Sequence, residues 1–163
     1  MKKIPYLILG GALMVILQVM CKLDRTESLQ ELDLLTYGFP ISVQAPDSPE
    51  IKQLDLIVQK DLTIKKGNDY YIQIFMGEAT SITAQDLKTA ALNTTKQNKY
   101  FSRVVEEEDK GYIFELKMDS TATSYGFKYF HIQGDKELIF QTGLTGLFNE
   151  KQVRRMYNAI KQG

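Results

Sequence analysis

Runs of alternating apolar residues, interrupted by two capped helical stretches, predict an α+β domain with a mainly antiparallel sheet of about six to seven strands, in the order βββαββββα. Three observations carry this. Between Phe39 and Met76 apolar residues recur at every second position in three separate runs. From Ile82 to Gln97 the period lengthens to that of a helix, and after Tyr100 alternation returns for four runs before a second helical stripe closes the chain. With 163 residues, 44% of them hydrophobic, the chain has the length of about one domain. Its 20 Lys+Arg balance its 20 Asp+Glu, so no global basic field would concentrate a polyanion, and nucleic acid is not an expected partner.

The elements follow in order. Phe39, Ile41, Val43 and Ala45 alternate with Pro40, Ser42 and Gln44, a half-buried strand with Pro40 in its first turn or at an edge. Ala45 to Pro49 then breaks the chain. Leu54, Leu56 and Val58, continued by Leu62 and Ile64 past a bulge at Lys60-Asp61, give a second strand, and Tyr70, Ile72, Ile74 and Met76 a third. Short links between the three imply an antiparallel meander. Thr83 is placed to cap a helix over 84–97, with Asp86 in its first turn, Ile82 stapled to Leu87, and Leu87, Ala90, Ala91 and Thr94 facing inward.

Four further strands are expected at 100–107, 112–118, 125–132 and 137–142, with turns at Asp109-Lys110-Gly111 and Gly134-Asp135. Tyr112, Phe114, Leu116 and Met118 form one strand face; Lys128, Phe130 and Ile132 stand opposite Tyr125, Phe127, Tyr129 and His131 on the next strand. A sheet apolar on both faces needs cover on both sides. Asn149 as N-cap, Gln152 in the capping-box place and Phe148 stapled to Val153 open the last helix. Val153, Met156, Tyr157 and Ile160 then recur at i, i+3, i+4 and i+7 and face a core. This order, with an early strand from Phe39-Pro40-Ile41 to Ala45-Pro46 and a closing helix across the sheet, resembles the PsbP-like fold over about residues 37–161. The resemblance implies a binding or assembly subunit; another layered α+β domain, cystatin-like in type, is the alternative.

The amino terminus is organised differently. Lys2 and Lys3 precede an uncharged stretch from Ile4 to Met20, the layout of a charged n-region and an apolar h-region. As a helix these residues would rise about 26 Å at 1.5 Å each, short of a hydrocarbon core of about 30 Å. The stretch stops at Cys21, the chain's single cysteine, so no intrachain disulfide can form. Two lysines, a short apolar run and a cysteine at this place resemble a bacterial lipoprotein signal peptide, with Gln18 and Met20 standing where that family usually has Leu and a small residue. The resemblance implies that Cys21 is lipidated with a diacylglyceryl group and becomes the first residue of the mature chain. Two acyl chains hold a protein stably at a membrane, whereas one does so only marginally. The alternative is an uncleaved single-span helix with Cys21 unmodified. Both attach the chain to membrane lipid, and the positive-inside rule puts the domain beyond the cytoplasm, facing the periplasm or cell exterior.

The organisation read from sequence is therefore a signal peptide or anchor at 1–20, a lipidated Cys and tether at 21–36, and a single α+β domain at 37–163. Within the tether, Leu29, Leu32 and Leu35 suit one side of a short helix.

Little in the chain is reactive. His131 is the single histidine and no nucleophile-elbow motif accompanies it, so no catalytic residue is assigned. Metal sites built from His and Cys fail on count, and the run Glu106-Glu107-Glu108-Asp109 lacks the spacing of a calcium loop. No phosphate-binding glycine loop appears, and no cofactor or metal is expected. The excess of tyrosine carries the one site hypothesis. Tyr70, Tyr112, Tyr125, Tyr129 and His131 on neighbouring strands would offer a candidate partner surface for a protein or glycan if one sheet face were open; otherwise they pack across strands as core. An anchored enzyme using carboxylate, Tyr and Lys chemistry is the competing class, and it would need paired carboxylates in a pocket.

Overall fold

A computed structural model describes residues 28–118 and 122–162. The leader, Cys21 and the first part of the tether lie outside the described residues. In chain order the elements are β1 (Leu29–Asp33), a 3₁₀ turn (Leu35–Tyr37), β2 (Ser42–Pro46), β3 (Glu50–Asp55), β4 (Gln59–Lys66), β5 (Tyr70–Glu78), α1 (Ala84–Lys96), β6 (Phe101–Glu108), β7 (Gly111–Lys117), β8 (Thr123–Gln133), β9 (Lys136–Thr142) and α2 (Glu150–Lys161). Seven strands form one antiparallel sheet in the order β3-β4-β5-β9-β8-β7-β6, and β1 pairs with β2 as a separate antiparallel ribbon.

The chain path explains this order. β3, β4 and β5 form a meander from one edge. α1 then carries the chain over the sheet to the far edge, and β6 to β9 return strand by strand until β9 closes against β5. Both faces of this sheet are apolar, and both are covered. On one face Ile72, Ile74, Phe127, Leu138 and Phe140 meet α2 residues Val153, Met156, Tyr157 and Ile160, together with Leu34, Phe39, Val43 and Ala45 of the ribbon. On the other, Leu87 and Leu92 of α1 pack on Tyr112 and Phe130.

Both helix caps form as the sequence predicts. The Thr83 hydroxyl accepts from the Asp86 N–H at 3.1 Å, and Asn149 with Gln152 makes a reciprocal capping box. The α2 stripe is buried as expected, with Ala159 added to it. α1 is rotated from its predicted phase: Leu87, Lys88, Leu92 and Thr95 face inward, while Ala90 and Thr94 are exposed. The heavier Leu92 sets the packed side, with Ala91 partly buried beside it as predicted. Ile82 is 95% exposed, so the staple to Leu87 does not form.

The first third of the chain departs most from expectation. Leu29 to Asp33 is a strand instead of a helix, held in register against Ser42 to Pro46, and Leu34 is fully buried. The packed domain therefore starts before residue 37. β2 starts at Ser42, beyond Pro40, and pairs with β1 instead of joining the large sheet. The predicted bulged strand through 54–64 is a hairpin: the Leu56 N–H donates to the Gln59 carbonyl at 2.8 Å, leaving Ile57 and Val58 as the loop. Both are exposed, as are Leu54 and Leu56. No Gly, Asn, Asp or Pro marks this turn, and β-branched residues disguise it as strand.

Glutamates of the β6–β7 hairpin tie down both covers and the hairpin itself. Glu107 accepts from Lys88 Nζ of α1 at 2.8 Å, and Glu108 accepts from Lys161 Nζ at 2.6 Å and Tyr157 Oη at 2.9 Å of α2. Glu115, buried on the sheet, accepts from Arg103 Nη2 at 2.9 Å. Each carboxyl is held below its ordinary value of 4.5, chiefly by hydrogen bonds from Lys88 to Glu107, from Lys161 to Glu108 and from Ser102 to Glu115. A lowered folded-state pKa contributes stability that is present above the unfolded value and lost as pH falls through the folded one. Urea unfolding is therefore expected to show a flat midpoint from pH 7 to about pH 5.5 and a declining one below about pH 4.5. Glu108→Gln should shallow that decline, and an unchanged acid limb in this variant would contradict the assignment.

Candidate functional site

The two-sided cover decides where the predicted partner residues lie. Tyr70 is fully buried under α2, and its hydroxyl donates to the Gln44 carbonyl at 2.5 Å. Tyr112 is fully buried on the opposite face, within hydrogen-bond distance of Thr95 Oγ1 at 2.7 Å, and burial pushes its phenol up to about 12. Tyr125, Tyr129 and His131 share the α2 face and are partly buried. Tyr125 donates to Glu115 at 3.2 Å, and Tyr129 meets Phe140 and Tyr157 edge-on at 6.0 Å. Burial, then nearby Lys110, lowers the His131 imidazole. These five residues do not form one exposed platform: Tyr70 and Tyr112 are core, on opposite faces.

The acidic run is divided as well. Glu106 pairs with Arg154, Glu107 with Lys88 and Glu108 with Lys161, so its carboxylates are spent on the two helices. Among the described residues no group of three His, Cys, Asp or Glu could hold a metal ion.

A different set of residues does converge. Strand register brings Glu107, Tyr112, Lys128, Gln141, Gln73, Thr63 and Lys52 into one row across all seven strands, on the face that α1 crosses. Most of this polar row is satisfied locally. Glu107 takes Lys88, Tyr112 takes Thr95, and Gln73, 8% exposed, donates to Asp61 Oδ2 at 2.9 Å. Gln141 reaches Gln73 at 3.5 Å. Asp61 Oδ1 is buried with no hydrogen-bond partner among the described residues.

Lys128 is the other exception. It stands between Tyr112 and Gln141, and its ammonium has no hydrogen bond or ion pair among the described residues. Burial lowers its pKa below the ordinary lysine value. It opens into a cavity of about 380 Å³ between the carboxyl end of α1, the sheet and the loop after β9. Thr94, Thr95 and Asn98 line the helix side, Phe114 and Leu116 the floor, and Gln141 and Leu144 the far wall; among the described residues Lys128 is the one charged residue around it.

Two glycines shape this cavity. A Cβ on Gly126 would stand 2.6 Å from Phe114 Cζ, so the phenyl ring can lie across β8 only because that position is bare. A Cβ on Gly143 would stand 2.3 Å from the Tyr71 ring, which fixes the start of the loop against β5, where the Gly143 N–H also donates to the Tyr71 carbonyl at 2.9 Å. The sequence reading missed the site because Lys128 looks like an ordinary outward residue of an alternating strand. The available signal was its place between Gly126 and Phe130 on a face that a helix had to cover.

No protein-family model matches the chain, and no curated protein matches it with significant similarity.

Because the Gly143 contact is with an aromatic ring on a central strand, Gly143→Ala is expected to destabilise the domain by about 1–3 kcal/mol, as overpacking does. Thermal unfolding measures this, and an unchanged Tm would show that the loop does not seat on Tyr71.

Proposed function

We propose that this protein is a bacterial envelope lipoprotein, lipidated at Cys21, whose α+β domain is a non-catalytic binding module facing the periplasm or cell exterior. The PsbP-like layout is part of the same proposal, and a closing helix laid across a large antiparallel sheet supports it. The binding reading is carried by one observation: a cleft roofed by a helix, floored by aromatic and aliphatic side chains, and holding a lone unpaired cation. Pockets that orient small ligands have this composition, mostly apolar with few placed polar groups. The competing enzyme class needs paired carboxylates in a pocket, and none lines this cleft.

The anchor reading rests on Lys2 and Lys3, the uncharged run to Met20 and Cys21 at its end. Intact mass and fractionation test it by comparing wild type with Cys21→Ser. Wild type is expected in the membrane fraction, lighter by residues 1–20 and heavier by lipid, while Cys21→Ser keeps its full length and carries no lipid. If both stay in the membrane at full-length mass, the apolar run is a permanent span and the lipoprotein reading fails.

A further inference from the structure

The cleft at Lys128 narrows the chemistry of what it can hold, and the inference drawn here rests on the binding reading above. A partly buried ammonium without a partner is costly, and the cost is relieved when a counter-charge arrives. Among the described residues none supplies such a charge. The groups facing Lys128 are Tyr112 from β7, Gln141 from β9, Thr94 and Thr95 from α1 and Asn98 from the turn after it, none of them acidic in the ordinary pH range. Along its own strand the neighbours on the same face are Gly126 and Phe130. The position therefore lacks an anion.

The rest of the cleft limits that anion. One cation is present, and the carboxyl end of α1, which carries partial negative charge, forms the roof. A second negative charge would sit unmatched against Phe114 and Leu116. That excludes phosphate-like and dicarboxylate ligands and favours a single carboxylate on an apolar body. The volume, about 380 Å³, is at the small end of the roughly 300–1,000 Å³ range of ligand cavities, so the body is small. The bare backbone at Gly126 lets the Phe114 ring lie flat as a floor for it.

We propose that the cleft between α1 and the sheet binds a small organic monocarboxylate, its carboxylate paired with Lys128 and met by the Gln141 amide, its apolar body resting on Phe114 and Leu116.

The test titrates the full chain in detergent micelles, with micelles alone as blank, against benzoate and hexanoate and their neutral counterparts benzamide and hexanamide. Backbone amide shifts at Gly126, Gln141 and Gly143 report binding. Wild type is expected to bind the carboxylates at least tenfold more tightly than the amides. Lys128→Met should lose that preference while still binding the amides, and Lys128→Arg should keep most of it. Should Lys128→Met fail to fold by circular dichroism, Lys128→Gln takes its place in the comparison. Equal binding of acids and amides to wild type, or a preference that survives loss of the charge, overturns the carboxylate assignment and leaves the cleft as a neutral site. If no probe shifts these amides in wild type, the binding reading of the cleft falls along with it.

Discussion

A seven-stranded sheet with apolar side chains on both faces is the constraint from which the architecture follows. Fully burying one large aliphatic or aromatic side chain contributes about 1.5–3 kcal/mol, so neither face can be left to water. α2 and the β1–β2 ribbon close one side over Phe127, Ile72 and Ile74. The other side has to be closed by α1, which is why the chain leaves β5 at the middle of the sheet and crosses to the far edge before β6. The same requirement removes the open tyrosine platform: Tyr70 and Tyr112 are consumed by the two covers.

The face under α1 is only partly apolar, and that is where the structure departs from a plain packed core. A polar row crosses all seven strands, and its members are handled one at a time by Lys88, Thr95, Gln73 and Asp61. A side-chain row of this kind is stable when each group finds a partner and costly when one does not. Among the described residues Lys128 and Asp61 Oδ1 are the two unmet groups on this face, three strands apart, and Lys128 opens into a cavity. Natural sequences tend to break local rules where a site requires it, and the bare positions Gly126 and Gly143 beside this lysine belong to the same exception.

Much of the fold was legible because its signals are local. Alternation placed β5 and β6 to β9, the Asp109-Lys110-Gly111 and Gly134-Asp135 turns were where their residues put them, and both N-caps formed. The misses share a physical cause. Leu29 to Asp33 has no strand period of its own and becomes a strand only because β2 lies beside it. Ile57-Val58 turns a hairpin with β-branched residues, where propensity argues for continued strand. α1 was misphased because the reading could not know which helix side the sheet would meet. The candidate site was least legible of all: its geometry comes from register between strands remote in sequence, and only the pairing of Tyr112, Lys128, Gln141 and Gln73 brings it together.

The central claim is that Lys128 is a partly buried cation beneath α1 with no partner among the described residues. It is tested most directly by titrating every lysine Cε and Nζ of the labelled protein by NMR from pH 7 to 12, with Lys128→Arg identifying the resonance. Lys128 should lose its proton below the ordinary lysine value of 10.5, because its surroundings penalise the charged form. Titration of Lys128 at or above that ordinary value would show that its ammonium is solvated, and the cleft would then hold no unmet charge.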